Sequence, residues 1–275
     1  MTAATLQETP YYQAHFAHAA GGDIESHKHE QILAWLQLQP GERALDVGCG
    51  LGDLAAAMSA CGADVIGVDI SAVAIEEARK RYPAVRFVVL DETPLPQQVG
   101  VGRFDALTCV QVLEHIPPGE VDAFIEQLAA CLRDGGRLLL DVPVTDNLSD
   151  RWLMFRNQHL RGMRRPPGAI DSSFNPTHLW KIGNLEQLAE RFVRRGLQPE
   201  RVQKLYYVPW VLDRLGWGGA VRCLPVRWRE QCLKGGTVLF RKGAAQALVQ
   251  TERFSAFWSD PPGTKGLARL KKLLA

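Results

Sequence analysis

Leu45-Asp46-Val47-Gly48-Cys49-Gly50-Leu51-Gly52 is the stretch on which the fold turns. Arg43–Val47 reads as a short apolar strand and Asp53–Cys61 as a helix, so the glycines lie on a strand-to-helix turn. Without a Cβ the backbone can bend sharply there and come close to a ligand. The spacing is G-x-G-x-G, whereas dinucleotide sites use G-x-G-x-x-G to seat a pyrophosphate at a helix N-terminus. Asp46 stands two residues before the first glycine. A carboxylate suits a cationic amine or sulfonium and suits a pyrophosphate poorly.

Working outward, strand and helix patterns alternate. Strands are expected at Asp64–Asp69, Val85–Leu90, Phe104–Val110 and Gly136–Val144, with helices at Ser71–Tyr82 and Gly119–Leu132. Ser71 caps its helix, and Asp134-Gly135-Gly136 is a turn signal before the fifth strand. This rhythm predicts an α/β fold with a parallel sheet and right-handed crossovers. Upstream, Asp23–Leu38 reads as a helix capped by Asp23 or Ser26 and stopped by Pro40-Gly41. After Val144 the rhythm breaks into a long, basic, irregular stretch to Ile182. Asn184–Arg195 resumes as an amphipathic helix, and Leu197–Tyr207 and Thr237–Arg241 read as two further strands. Val208–Leu233 between them reads as an inserted, Trp-bearing helical piece. The expected organisation is an N-terminal lid and helix over 1–40, a catalytic domain over 41–245 with insertions at 145–182 and 208–235, and a basic tail over 246–275.

Two more strand ends carry acids. Asp69 closes the second strand, about twenty residues beyond the glycines, where a carboxylate can accept from two ribose hydroxyls. Asp91-Glu92 closes the third, where a carboxylate can accept from an adenine amino group. With the glycine loop, with Val65-Ile66-Gly67-Val68-Asp69-Ile70-Ser71 and with Leu132-Arg133-Asp134-Gly135-Gly136, the chain resembles the class I S-adenosylmethionine-dependent methyltransferases over roughly residues 25–245. Val112-Leu113-Glu114-His115-Ile116 is similar to the ubiquinone-pathway O-methyltransferase branch.

The resemblance implies a Rossmann-like seven-stranded, mostly parallel sheet with an antiparallel last strand and helices on both faces. It also implies S-adenosylmethionine as cofactor and S-adenosylhomocysteine as product. By the same resemblance Asp46, Gly48, Gly50 and Gly52 frame the methionine half. Asp69 binds the ribose, Ile70 lies against the adenine, and Asp91 holds its amino group with Glu92 alongside. Val110 and Gln111 line the sulfonium side through their backbone. In the ubiquinone branch two glutamates and a histidine near this strand end can bind magnesium. Here Gln111 takes the first glutamate's place, leaving Glu114 and His115, so no metal is expected.

Methyl transfer from a sulfonium is an in-line displacement in which positioning supplies much of the rate. A base matters when the acceptor is an aliphatic hydroxyl, and much less for a phenol or carboxylate. His178, in Asn175-Pro176-Thr177-His178-Leu179-Trp180, is the first candidate base, and His159 in the same long stretch is the second. Tyr11, Tyr12, His15 and His18 could form a closing lid, and Lys28 could approach the cofactor carboxylate. Tyr206, Tyr207, Trp210, Trp217 and Trp228 could face a planar or greasy acceptor. Arg151, Arg156, Arg161, Arg164 and Arg165 could pair with an anionic group on it.

Composition sets the outer limits. The chain has 275 residues, 46% hydrophobic and 23% charged, which suits a globular protein with a large core. No stretch approaches the ~20 apolar residues of a spanning helix. Met1 to Pro10 lacks the charged start and apolar run of a secretory signal. Six cysteines with no C-x-x-C pair point to a reducing cytoplasm rather than to zinc or disulfides. The net charge of +2 hides an asymmetry: residues 201–275 hold 14 Lys and Arg against 4 Asp and Glu. Such a quarter could contact a membrane or another anionic surface, and Gly266–Ala275 could be a cationic amphipathic end. No stacking-and-basic nucleic-acid module is present, so a small organic acceptor is expected, with O-methylation first and N- or C-methylation of a metabolite or lipid-like intermediate next. Methylation of a nucleic acid or protein, a nicotinamide dehydrogenase and a non-catalytic cofactor-binding subunit are the competing classes. The glycine spacing disfavours the dehydrogenase.

Overall fold

A computed structural model describes residues 23–160, 162–208, 223–243 and 247–256. Its helices are α1 (Asp23–Leu36), α2 (Asp53–Ala60), α3 (Ala72–Arg81), α4 (Leu95–Val99), α5 (Val121–Cys131), α6 (Leu148–Phe155), α7 (Leu185–Val193) and α8 (Val226–Arg229). Its strands are β1 (Arg43–Val47), β2 (Asp64–Asp69), β3 (Arg86–Val89), β4 (Phe104–Val110), β5 (Leu132–Pro143), β6 (Leu197–Val208), β7 (Leu233–Lys242) and β8 (Val249–Ala256). They form one sheet in the order β3-β2-β1-β4-β5-β7-β6-β8. Only β7 runs against its neighbours.

Alternation along the strands builds two cores. On one face Leu107, Leu138 and Leu140 pack with Val99, Ile125, Leu188 and Phe192, so α4, α5 and α7 cover it. On the other, Ala106 and Leu139 pack with Ile32, Leu36, Met58 and Ile75, so α1, α2 and α3 cover that side. Successive strand residues point to opposite faces, and each fully buried leucine or isoleucine contributes roughly 1.5–3 kcal/mol. Caps close the helices where polar residues predict them. Ser71 Oγ accepts from Ala74 N at 3.2 Å, and Asn184 Oδ1 accepts from Gln187 N at 2.9 Å.

Among the described residues the sheet has eight strands rather than seven. Residues 249–256, assigned by sequence to a basic tail, pair parallel with β6 as β8. The fifth strand begins at Leu132 rather than Gly136. Phe104 pairs with Leu132 and Ala106 with Arg137, so the Asp134-Gly135-Gly136 signal marks an excursion within the ladder, not a turn ahead of it. Gly135 has φ +74, and a Cβ on Gly136 would lie 2.8 Å from the Arg133 carbonyl oxygen. Within the irregular stretch after Val144, α6 forms, capped by Asn147 and followed by a π turn over Arg156–Leu160. The lid residues Tyr11 to His18, Arg161, Trp210, Trp217 and Gly266–Ala275 lie outside the described residues. Among those described, no helix is long and apolar enough to cross a membrane.

Candidate active site

From β1 the chain winds through β2 to β3 on one side, then crosses to β4 on the other side of β1. The carboxyl ends of β1 and β4 therefore flank a topological switch point, where open α/β sheets bind ligands. The glycine loop lies there. Gly48, Gly50 and Gly52 have φ +73, +51 and +85. Gly48 N and Cys49 N both donate to Val68 O, at 2.8 and 3.0 Å. Gly50 N donates to Asp69 Oδ2 at 3.0 Å, and Ser71 N donates to Asp69 Oδ1 at 2.8 Å. The Asp69 carboxylate thus holds the loop in shape, a role the sequence motif does not reveal.

Asp46 is buried beneath the loop. Its Oδ1 accepts from Thr108 Oγ1 at 2.6 Å, and its Oδ2 has no partner among the described residues. Burial pushes its carboxyl up to about 6; the Thr108 bond pulls it down, and neighbouring Asp69 adds to the rise. Between the ordinary value near 3.8 and about 6, the ligand-free folded chain binds the proton that the unfolded chain releases. Stability should therefore fall as pH rises through that window. Denaturant titrations at pH 4 to 7 check this, and Asp46→Asn should flatten the trend.

The third strand end is open. Asp91 and Glu92 are exposed, and hydrogen bonds from the Thr93 side chain and from Thr93 N, the latter to Oδ1 at 2.7 Å, lower the pKa of Asp91. At the end of β4, half-buried Val110 precedes Gln111, which has φ +55. Gln111 N donates to Asp141 O at 2.9 Å and Nε2 to Asp141 Oδ1 at 2.7 Å. Asp141 also takes Thr237 Oγ1 at 2.7 Å and Lys28 Nζ at 2.6 Å. Lys28 therefore ties α1 to β5, a partner its sequence position does not suggest.

Beyond β4 a 3₁₀ turn over Leu113–His115 meets the segment 177–180. Leu179 N donates to Glu114 O, and Trp180 Nε1 donates to Leu113 O, both at 2.8 Å. These bonds set His178 beside Glu114 and His115, and the ligating atoms of all three side chains lie within 4.8 Å of one another. The His115 and His178 rings meet edge to face with centroids 4.9 Å apart. His178 Nδ1 lies 2.5 Å from Asp171 Oδ2. Burial opposes ionisation of Asp171, yet the bonds from His178 and Ser173 outweigh it and hold its carboxyl below the usual range. An ionised carboxylate only accepts, so Nδ1 of His178 carries a proton, and in the neutral ring Nε2 holds the lone pair. Asp171 has no sequence signature, because nothing in an irregular loop announces a buried acid.

His159 lies elsewhere in character: it is exposed and rests on Phe155 at 4.8 Å, outside the group of three. Among the loop arginines, Arg165 donates to Ala169 O at 2.9 Å and Arg156 to Asn157 Oδ1, while Arg151 and Arg164 are exposed. Tyr206 is buried and bonds Glu230, and Trp228 is half exposed on α8.

A sequence profile described as a methyltransferase domain matches residues 16–202. The chain belongs to this methyltransferase family. This S-adenosylmethionine-dependent methyltransferase is similar to a ubiquinone biosynthesis O-methyltransferase of Bordetella avium (strain 197N), 36% identical over 189 residues, or 64% of this chain and 72% of that one. A protein of the same description from Xanthomonas axonopodis pv. citri (strain 306) is 31% identical over 63% of this chain and 70% of its own. Among solved structures, a SAM-dependent methyltransferase from Archaeoglobus fulgidus superposes with TM-score 0.60 at 13% identity, covering 85% of this chain and 100% of that one. Phosphoethanolamine N-methyltransferase 2 of Haemonchus contortus, in complex with S-adenosyl-L-methionine, gives TM-score 0.60 at 17% identity over 89% and 60%. At those identities the structures establish the shared fold. The α/β architecture and the family are thus those expected from the glycine loop.

Proposed function

We propose that the methyltransferase moves the methyl group of S-adenosylmethionine to a hydroxyl of a small organic molecule. The observation that best supports it is the glycine loop pinned by Asp69 at the switch point, above a buried carboxylate that favours a positive ligand. The relatives from Bordetella and Xanthomonas, both described as O-methyltransferases, favour oxygen as the acceptor atom. In this reading Asp69 takes the ribose hydroxyls and Ile70 lies against the adenine. Asp91, with Glu92 alongside, takes the adenine amino group. Asp46, Gly48, Gly50 and Gly52 frame the methionine half, and Val110 and Gln111 bound the sulfonium side.

The acceptor stands on the side of the 3₁₀ turn. Nε2 of His178 takes its proton, and Asp171 holds the ring in the tautomer that allows this. His159 is the weaker candidate for that task, since no acid orients it among the described contacts. Six unpaired cysteines favour the cytoplasm as its compartment. Release of S-adenosylhomocysteine against a panel of phenols, aliphatic alcohols, acids and amines tests the assignment. Turnover confined to amines would replace it with N-methylation. In parallel, Asp69→Ala should weaken cofactor binding by about 1–3 kcal/mol, because it removes a charged acceptor from buried donors. Unchanged calorimetric affinity would remove Asp69 from the site.

A further inference from the structure

The Asp171–His178 pair sits on a strained turn. Asp171 divides its carboxylate between two tasks. Oδ1 accepts from Ser173 N at 3.0 Å and from Ser173 Oγ, which closes the turn, and Oδ2 lies 2.5 Å from His178 Nδ1. At the far end Phe174 has φ +56, its N donates to Asp171 O at 3.2 Å, and its side chain is buried. A bulky residue at positive φ persists only where the surroundings over-determine it, and such positions gather at functional sites. Here the restraint comes from α6 and the π turn after it. Ser172 lies between the two residues that shape the turn, and both polar atoms of its main chain are taken by buried side chains. Asp150 Oδ1 accepts from Ser172 N, and Asn157 Nδ2 donates to Ser172 O, both at 2.9 Å. Each of these side chains is anchored in turn. Asp150 N donates to the capping Asn147 Oδ1 at 3.0 Å. Arg156 Nε and Nη2 donate to Asn157 Oδ1 at 3.2 and 2.9 Å. A guanidinium only donates, so it claims the amide oxygen and turns the amide nitrogen toward Ser172.

We infer that Asp150 and Asn157 are positioning residues for His178: they grip the Ser172 peptide from its two sides and so fix the carboxylate that orients the ring. The inference deepens the methyl-transfer reading and rests on His178 as the proton acceptor in it. Neither residue acts on the acceptor directly; each acts through Ser172 and Asp171. The π turn over Arg156–Leu160 prolongs α6 far enough to bring Asn157 to the same loop as Asp150, and single π turns recur at functional sites. Both bonds are to main-chain atoms, so the grip depends on the fold of residues 171–174 and not on the Ser172 side chain. Loss of either bond frees the turn to relax its positive φ, and Asp171 then moves relative to the ring. A reacting group misplaced by about 1 Å can lose about a hundredfold in rate.

Rates and one proton resonance test this on the full chain. Asp150→Ala removes the acceptor for Ser172 N, and Asn157→Asp replaces a donating amide with a carboxylate that only accepts. With an aliphatic alcohol as acceptor, each should lower kcat about ten- to a hundredfold while KM for S-adenosylmethionine stays at the parental value. The deficit should shrink for phenols, as in His178→Ala. Asp150→Asn keeps an oxygen for Ser172 N and should recover most of the rate. In an Asp171→Asn background Asp150→Ala should add little, because residues acting through one network are not additive. The His178 Nδ1 proton, assigned by nitrogen-15 histidine labelling and by its loss in His178→Ala, reports the geometry without turnover. It should resonate far downfield in the parent and in Asp150→Asn, and move upfield in Asp150→Ala and Asn157→Asp. Melting curves establish folding, and Asn157→Asp, of parental size, carries the test if Asp150→Ala does not fold. Parental rates with an unmoved resonance in both variants, or an equal loss with every acceptor, would overturn the inference. If the resonance moves but His178→Ala leaves turnover intact, the grip stands and the base assignment falls. If His178→Ala alone shows the acceptor-dependent deficit, only the grip falls.

Discussion

Gly48→Val should abolish binding of S-adenosylmethionine, lowering affinity by more than about a hundredfold. Two effects combine. The residue has φ +73, a conformation that costs an ordinary residue about 1–3 kcal/mol and a β-branched one more. A Cβ there would also lie 2.2 Å from Val112 Cγ2, so the loop or the entry to the 3₁₀ turn must move. Either shift disturbs Gly48 N and Cys49 N, which share the Val68 carbonyl. Because the clash is with a side chain, part of the loss is recoverable. Gly48→Ala combined with Val112→Ala removes the overlap and retains the backbone strain, so its affinity should lie between the parent and Gly48→Val. Calorimetry on the three proteins, with melting temperatures for folding, measures this. Parental affinity in Gly48→Val would show that the loop does not approach the cofactor.

His178→Ala should produce the second large loss, this time in turnover. With an aliphatic alcohol as acceptor, kcat should drop by about 10²–10⁴ with cofactor affinity nearly unchanged, the range for removal of a positioned base. The deficit should narrow for phenols, which lose their proton readily, and widen as the acceptor becomes less acidic. A purely structural histidine would give the same deficit with every acceptor. Asp171→Asn should show the same trend at smaller amplitude, since an amide can bond the ring in either tautomer. Steady-state rates across a graded series of alcohols and phenols separate these outcomes.

The legible part of this chain is the part built from local repetition. Glycines at 48, 50 and 52 after an apolar strand, and acids at 69 and 91 after two more, announce strand ends by position alone. The β-α alternation then sets sheet direction, because a short crossover leaves few other paths. Less legible are features made by partners distant in sequence. Asp171 becomes a partner of His178 only when an irregular loop folds back, and His178 joins Glu114 only across the 3₁₀ turn. Leu95–Val99 is one turn of helix, too short to show a period. Residues 133–136 carry a glycine turn signal that the ladder absorbs as an excursion, so Leu132 already belongs to the strand. The β8 strand escapes notice because its residues are as polar as a tail, and it pairs along one edge only.

Asp141 ties the end of β4 to two segments far apart in the chain. Its carboxylate gathers Lys28 from the first described helix, Gln111 from the end of β4 and Thr237 from the reversed strand. Gln111 is one of four non-glycine residues with positive φ among those described, and Asp141 holds both its main chain and its side chain. Whatever displaces the first described helix or the reversed strand thereby tugs on Gln111, with one carboxylate as the knot that joins all three threads.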